Sequence, residues 1–460
     1  MSKQAAYASD LRSSPVLTAV LTLALPVVAQ SLLQVLIGTV DLKMVGVLGA
    51  DAIAAVGMGR QVIMIIMILV LAISTGAVAL VARAVGSDDQ HGTSRAIGNA
   101  FTLVILFAAV MSPIGLATAG ITLDLLGATD LVKELGLDYM RIFYISVVFF
   151  LGHFMAKAVF QGGGDTRTPL LIDIIMNIAN VLFNWLFIYG VWIFPEMGVA
   201  GAAMGTAISR FIGASLGWGA LLSGRFAIKV SLPHLLSFDT KGMGEILRIG
   251  IPSAFQGAAR NISNVLLVAI LARTAVDMAA VSAFTVGMNL NQYALMPGLA
   301  VGTAAAALSG INLGANDPKR AEASGWSAAG VGAGIMSFFG LIIFIFAPWL
   351  LAFFNDDPDM IRVGVVFVRI IALSEPFHAL GIVLSRTMQG AGYTYRPFQV
   401  TVFSWLFVRT PLAWLLATQT GLEATGVWIA ISVTTVLFGL LTLVVFRRGA
   451  WKTARVSQAA

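Results

Sequence analysis

Ten charged or titratable residues interrupt stretches otherwise apolar enough to lie in a lipid bilayer: Asp41, Lys157, Asp173, Arg210, Arg260, Glu375, Arg386 and Arg409, with His153 and His378. A charge at the bilayer centre costs roughly 2.5–3.5 kcal/mol on insertion scales, so each needs a physical reason. Asp41 is the sharpest case. It ends the apolar run Leu36-Ile37-Gly38-Thr39-Val40-Asp41, and no charge precedes it back to Arg12. Pro26 stands fifteen residues earlier (41 − 26), about four helical turns, where it can kink the same helix. A carboxylate inside a membrane protein gains a tendency to protonate; it can carry a proton or, ionised, hold Na⁺. The competing explanation is an Asp at an outer helix end, solvated or paired with Lys43.

Asn177, Asn180 and Asn184 recur at spacings of three and four and so share one helical face. Their amides can accept from a protonated acid, offer carbonyl oxygen to a cation, or simply join helices in lipid. Farther on, Glu375 and His378 share a face, with Pro376 able to loosen the backbone between them. With Arg260 and Arg409 they form a candidate substrate contact or protonation switch; alternatively, Glu375 neutralises one of the arginines so that the helices can insert. Lys157 has no evident sequence partner but is close enough to a helix end to snorkel, Arg210 has none, and Asp173 sits near a helix start, where the dipole favours it.

Several chemistries are excluded. The chain has no Cys, hence no disulfide, thiol catalysis or Cys-based metal site. The four His residues (His91, His153, His234, His378) show no ligand spacing, and no Walker sequence, His-Glu-x-x-His or nucleophile elbow occurs. The expectation is a protein that is not an enzyme and uses no cofactor. Its energy source is an ion gradient or the substrate's own gradient.

The elements that must position these residues are membrane helices. Of 460 residues, 58% are hydrophobic and 11% charged, against about 25% charged in soluble chains. Runs such as 62–80, 331–354 and 427–446 reach the roughly 18–20 apolar residues that a spanning helix needs. Spans are expected near 16–40, 52–83, 97–125, 139–160, 168–192 and 198–223, then again near 248–273, 279–308, 326–354, 364–388, 397–419 and 424–446. The two sets are copies. Arg141, Gln161, Gly164 and Pro169 face Arg369, Gln389, Gly392 and Pro397 at one interval, 228 residues (369 − 141). Thr75 and Gly86 face Thr303 and Gly314 at the same interval, while Pro26, Gln30 and Asp51 face Pro252, Gln256 and Asp277 at 226 (252 − 26).

The reading is therefore an all-α membrane protein of about twelve transmembrane helices in two six-helix bundles. An even number of helices per half makes the repeats parallel, related by a pseudo-twofold axis along the membrane normal. The expected organisation is an N-terminal lobe over 1–223, an amphipathic cytoplasmic linker or ordinary loop over 224–247, a C-terminal lobe over 248–446 and a tail over 447–460. The loop cations, among them Arg83, Arg95, Arg167, Lys241, Arg320 and Arg447, fall on one side if the helices alternate, and the opposite loops lean acidic. By the positive-inside rule both termini are cytoplasmic in a multi-pass cytoplasmic-membrane protein. Topology and anionic lipid then account for the +6 charge, and no nucleic-acid partner is needed. The first span lacks the n-region of a secretory signal and is expected to be retained.

These residues resemble the multidrug and toxic compound extrusion family, MATE, over essentially the whole chain. The resemblance is carried by the Asp41 helix with Gly46-Val47-Leu48-Gly49 and Ala54-Ala55-Val56-Gly57, by Val81-Ala82-Arg83-Ala84-Val85-Gly86, and by Gln161 to Pro169. The Asn180/Asn184 helix ending at Gly190, Gly198 to Ala203, and Asn312-Leu313-Gly314-Ala315 complete it. The resemblance implies proton- or Na⁺-coupled export of organic cations and amphipathic drugs by alternating access, with a small organic substrate and the bilayer as partners and a monomer as the acting unit. It implies that Asp41 is the protonation or cation site, that Asn180, Asn184 and Thr206 line the same pocket, and that Pro26 is where the first helix bends. Some relatives carry an acid where Asn184 stands, and those with cation sites in the second lobe carry acids where Arg260 and His378 stand here, so coupling is placed in the first lobe. The alternative is a lipid-linked precursor or polysaccharide flippase on the same fold, which would use Arg260, Lys157, Arg210 and Arg409 to hold pyrophosphate.

Overall fold

A computed structural model of the chain describes residues 9–224, 228, 230, 238–273 and 277–454. Most of the expected linker, residues 225–227, 229 and 231–237, and the tail from 455 onward lie outside the described residues.

Every regular element described is helical, as a bilayer requires of apolar runs whose backbone must satisfy itself. In chain order these are α1 (Val16–Gly46), α2 (Ala50–Gly86), α3 (Gln90–Leu125), α4 (Asp130–Gly162), α5 (Arg167–Tyr189) and α6 (Gly198–Ser223). The second set is α7 (Thr240–Leu271), α8 (Asp277–Gly314), α9 (Pro318–Ala352), α10 (Pro358–Ala372), α11 (Glu375–Gly390), α12 (Tyr395–Gln419) and α13 (Glu423–Arg447). Eleven are long and apolar enough to cross a membrane, or twelve with α10 and α11 taken as one span bent by 51°. Several helices outrun the spans expected from hydropathy because their first turns are polar. Asp89 accepts from the Gly92 amide at 2.8 Å and starts α3; Asp317 accepts from the Arg320 amide at 2.9 Å and starts α9. Such N-caps satisfy amides that have no intrahelical partner.

Those two caps are 228 residues apart (317 − 89), and each follows a residue in the left-handed region, Asp88 and Asn316, both at φ 57°. The turns after α4 and α11 repeat as well: Gly164 and Gly392 adopt φ 86° and 81°, a conformation that only glycine enters without strain. Beside each turn lies the same buried amide pair. Gln161 Nε2 donates to Gln30 Oε1 at 3.3 Å, and Gln389 Nε2 donates to Gln256 Oε1 at 3.2 Å. The duplicated residues are thus the corners and interhelical ties of a framework built twice.

Two departures from regular helix mark the second half. The chain breaks at Leu373 and Ser374, just ahead of Pro376, which occupies the first turn of α11 where its missing N–H costs nothing. The break therefore precedes both Glu375 and His378 rather than loosening the backbone between them. Within α12, residues Phe403–Arg409 form a π-helical segment, a local widening frequent at functional sites.

The residues fall into two compact units. Among the described residues, one contains 9–12 and Ala29–Gly250; the other contains Ser13–Val28 and the chain from Ile251 to 454. The division lies inside α1 two residues past Pro26, and inside α7 directly before Pro252. In the first unit, α7 is anchored by Asp239. Its carboxylate takes Arg95 Nε at 2.7 Å and Asn99 Nδ2 at 3.1 Å, and accepts from the Gly242 amide at 3.2 Å. The Arg95 bond is the main reason that its carboxyl is held down at about 2.

A group whose folded pKa is depressed stabilises above its unfolded pKa and loses that contribution as pH falls toward the folded value. Asp239→Asn is therefore expected to lower the thermal midpoint of the detergent-solubilised protein at pH 6–7. The deficit should shrink between about pH 4 and pH 2, where wild-type Asp239 protonates. Nanoscale fluorimetry across that range reads both effects, and a deficit independent of pH would contradict the anchoring role.

Candidate functional site

A row of small residues on α6 builds the first unit's site. Gly201, Gly205, Ser209, Gly213 and Gly217 follow one another every four residues and present a nearly flat face. A Cβ at Gly205 would stand 2.7 Å from the Asn184 backbone nitrogen and closer still to the Asn184 side-chain oxygen. Only glycine lets α6 approach α5 at that level, and the approach fixes the Asn184 side chain.

Asn184 is thereby aimed at α1. Its Nδ2 donates to Asp41 Oδ1 at 2.8 Å, a bond to a charged acceptor of the stronger kind when Asp41 is ionised. The same amide lies 3.4 Å from Asn180 Oδ1, and Asn180 Nδ2 lies 3.4 Å from Thr206 Oγ1 and 3.5 Å from Ser209 Oγ. These are long contacts, so the file is a polar lining rather than a rigid lattice. Asn177 continues the face and is buried. The structure thus brings together Asp41, Asn180, Asn184 and Thr206. Among the described residues Asn184 is the hydrogen-bond partner of Asp41, which leaves Asp41 Oδ2 and Asn184 Oδ1 without a donor.

Asp41 itself is partly buried and lies inside α1, which runs on to Gly46, rather than at the helix end that hydropathy indicated. The extension is favourable because Lys43 in the last turn complements the helix dipole. Lys43 is exposed, and no ion pair joins it to Asp41 among the described residues. Pro26 lies within α1, which continues through it. The repeat makes the asymmetry explicit. The counterpart of Asp41 is Leu267 (267 − 41 = 226) and that of Asn184 is Leu412 (412 − 184 = 228), so the second half has no such pair.

In the second unit the charges are arranged differently from the neutralising network considered from sequence. Buried Glu375 takes the Asn291 side-chain amide on one oxygen, and His378 Nδ1 stands 3.9 Å away. Glu375 Oε2 has no hydrogen-bond partner among the described residues, and Glu375 lines a small crevice with Gly287, Gly340 and Val368. Arg409 turns elsewhere: its guanidinium stacks 4.4 Å over the Trp405 ring and donates to Asn264 Oδ1 at 3.3 Å. The intervening π-helical segment sets that direction. Among the described residues no ion pair joins Glu375 to Arg260 or Arg409. Four residues named together in the sequence are therefore at least two separate arrangements.

One cluster escaped the sequence reading. Asp173 on α5 receives Lys157 Nζ at 2.7 Å and His153 Nε2 at 3.1 Å, both from α4. The sequence alone suggests a snorkelling cation at Lys157 and a dipole-favoured acid at Asp173. They lie five residues before the end of α4 (162 − 157) and six after the start of α5 (173 − 167). That near-equal distance from one tight turn was the available signal.

The family model MatE matches residues 26–186 and 252–415, the two halves of the repeat. The chain is 28% identical to a probable multidrug resistance protein NorM of Thermotoga maritima, across 94% of this chain and 93% of that one. It is 25% identical to an FAD transporter of Shewanella oneidensis, across 94% of each. Among solved structures, a MATE protein in a bent conformation superposes with a TM-score of 0.89 at 21% identity, covering 96% of this chain and 97% of that one. An outward-facing MATE-family transporter of the MOP superfamily gives 0.88 at 21%, covering 97% and 98%. With both halves matched by the family model, this multi-pass membrane chain belongs to the multidrug and toxic compound extrusion (MATE) family of transporters.

Proposed function

We propose that the protein is a secondary antiporter of the cytoplasmic membrane. It exports amphipathic organic molecules by alternating access in exchange for protons or Na⁺, acts as a monomer, has both termini in the cytoplasm, and needs no cofactor beyond the coupling ion. The observation that carries this reading is the 2.8 Å bond from Asn184 to Asp41, with Asn180 and Thr206 behind it. The name of the Thermotoga relative, a probable multidrug resistance protein, supports the substrate class.

The mechanism follows from what this acid can do. Ionised, Asp41 holds Asn184 by a charge-assisted bond and has its second oxygen free for a proton or Na⁺. Loading it removes the charge, which a membrane interior penalises, and changes which partners α1 prefers. A bound ion can move the equilibrium between two states only as far as its affinities for them differ, so Asp41 must meet different surroundings in each. Pro26 gives α1 a place to change direction, since the Thr22 carbonyl four residues before it receives no amide hydrogen there. Substrate entering from the cytoplasm competes with the ion, and the gradient returns the ion from outside.

Two outcomes check this. Asp41→Asn, which keeps the shape and removes the titratable charge, is expected to abolish gradient-dependent efflux of a fluorescent organic cation from cells. Collapsing the proton and Na⁺ gradients separately in wild-type cells identifies the ion; efflux by Asp41→Asn at the wild-type rate would refute coupling through this residue. Gly205→Val pushes α6 off Asn184 and is expected to reduce efflux about tenfold or more, as misplacement of about 1 Å does at binding sites. Wild-type efflux by a well-expressed Gly205→Val protein would show that the placement of Asn184 is immaterial.

A further inference from the structure

The second unit holds a buried cation that has no part in the Asp41 site. Arg409 lies deep in α12, fourteen residues after its start at Tyr395 (409 − 395) and ten before its end at Gln419 (419 − 409). It is 2% exposed, and Trp405, whose ring it covers, is 7% exposed. Both belong to the π-helical segment Phe403–Arg409, about one turn apart, with the guanidinium 4.4 Å from the Trp405 ring centroid. α7 braces the segment: Ser263 Oγ donates to the Trp405 carbonyl at 2.8 Å, and Asn264 Oδ1 accepts from Arg409 Nη1 at 3.3 Å.

These contacts orient the guanidinium but bring it no opposite charge. Among the described residues no ion pair involves Arg409. Glu375, the buried acid of α11, is taken by Asn291 and flanked by His378. Arg260 of α7 and Arg386 of α11 add positive charge to the unit instead of balancing it. A cation inside a membrane protein ordinarily pairs with an acid or with carbonyls, and one neutral amide oxygen meets that need only in part.

A second observation says what supplies the rest. Arg409 Nε and Trp405 Nε1 are both buried without a hydrogen-bond partner among the described residues, and the adjacent Ser404 hydroxyl is too. Guanidinium and indole N–H groups only donate, so their partner must be an acceptor. A water accepts both bonds yet leaves the guanidinium charge unbalanced; an anion answers both needs, through charge-assisted hydrogen bonds. The burial limits its size. Side chains closed in this far suit a monatomic ion better than a carboxylate or phosphate with a body behind it, and chloride sheds its water more readily than fluoride. The pair also sits where the backbone widens, a local geometry frequent at functional sites.

We propose that Arg409 and Trp405 form a chloride site, with the halide held at the edge of the stacked pair by Arg409 Nε–H and Trp405 Nε1–H. The ion neutralises Arg409 and completes the bracing of α12 that Ser263 and Asn264 provide. The site is independent of Asp41 and of the exporter reading.

The test follows the thermal midpoint of the detergent-solubilised full-length protein while sodium gluconate is replaced by sodium chloride at constant ionic strength, so that Na⁺ does not change. A saturable rise of about 2–4 °C is expected. Bromide is expected to reproduce it, and a bromide-soaked crystal to show its anomalous peak beside Arg409 Nε. Arg409→Gln is expected to abolish the response. Trp405→Phe keeps a ring under the guanidinium and deletes the N–H; it is expected to raise the half-saturating chloride concentration roughly tenfold or more, and it decides the matter if Arg409→Gln fails to fold. A wild-type midpoint indifferent to chloride assigns the unpaired donors to water and overturns the proposal. So does a rise that never saturates, which is a general salt effect, an unchanged response in either folded variant, or a bromide peak found only elsewhere.

Discussion

A hydrocarbon core supplies neither donors nor acceptors, so every ionisable side chain placed there must find its partner on another helix. For Asp41 that partner is Asn184, and the bond exists because α6 comes close enough to α5 to hold the asparagine in place. The sequence of dependence is short. Small residues every fourth position flatten α6, the flat face admits the α5 backbone, and the trapped amide reaches α1. Asp41 is thereby held by a neutral amide, and no ion pair involves its carboxylate among the described residues.

Duplication explains the framework but not the chemistry. Caps at Asp89 and Asp317, left-handed turns at Gly164 and Gly392, and amide pairs Gln30–Gln161 and Gln256–Gln389 occur in both halves. These are backbone corners and interhelical ties, and a change there would cost the fold itself. The positions with functional potential have diverged: Leu267 and Leu412 replace the Asp41–Asn184 pair, while Glu375 has Val147 as its first-half counterpart (375 − 147 = 228). Two similar scaffolds thus hold different polar interiors, an acid with amides in one and a carboxylate beside an amide and an imidazole in the other.

The helix set and the repeat were legible in the sequence because both are one-dimensional signals: apolar length and a fixed interval. Asp41 and the asparagine stripe were legible for a related reason, since a charge in an apolar run and a period of three to four need no knowledge of packing. Pairings across helices were less accessible. Position in sequence suggests a dipole effect for Asp173, yet it is gripped by Lys157 and His153, because rotation of α4 about its axis decides which side chains meet. Glu375 and Arg409 suggested mutual neutralisation, yet the break before Pro376 and the π-helical segment through Arg409 turn them to different neighbours. Irregular backbone of that kind leaves little trace in composition.

Competition between ion and substrate through Asp41, as we propose, is measurable without transport because of thermodynamic linkage. Substrate affinity of the purified protein can be titrated against pH at fixed Na⁺, and against Na⁺ at fixed pH, for wild type and Asp41→Asn. Wild-type affinity is expected to weaken as one of the two ions rises, and the variant to respond to neither. A wild-type affinity indifferent to both ions, or a variant that keeps the full dependence, would contradict it.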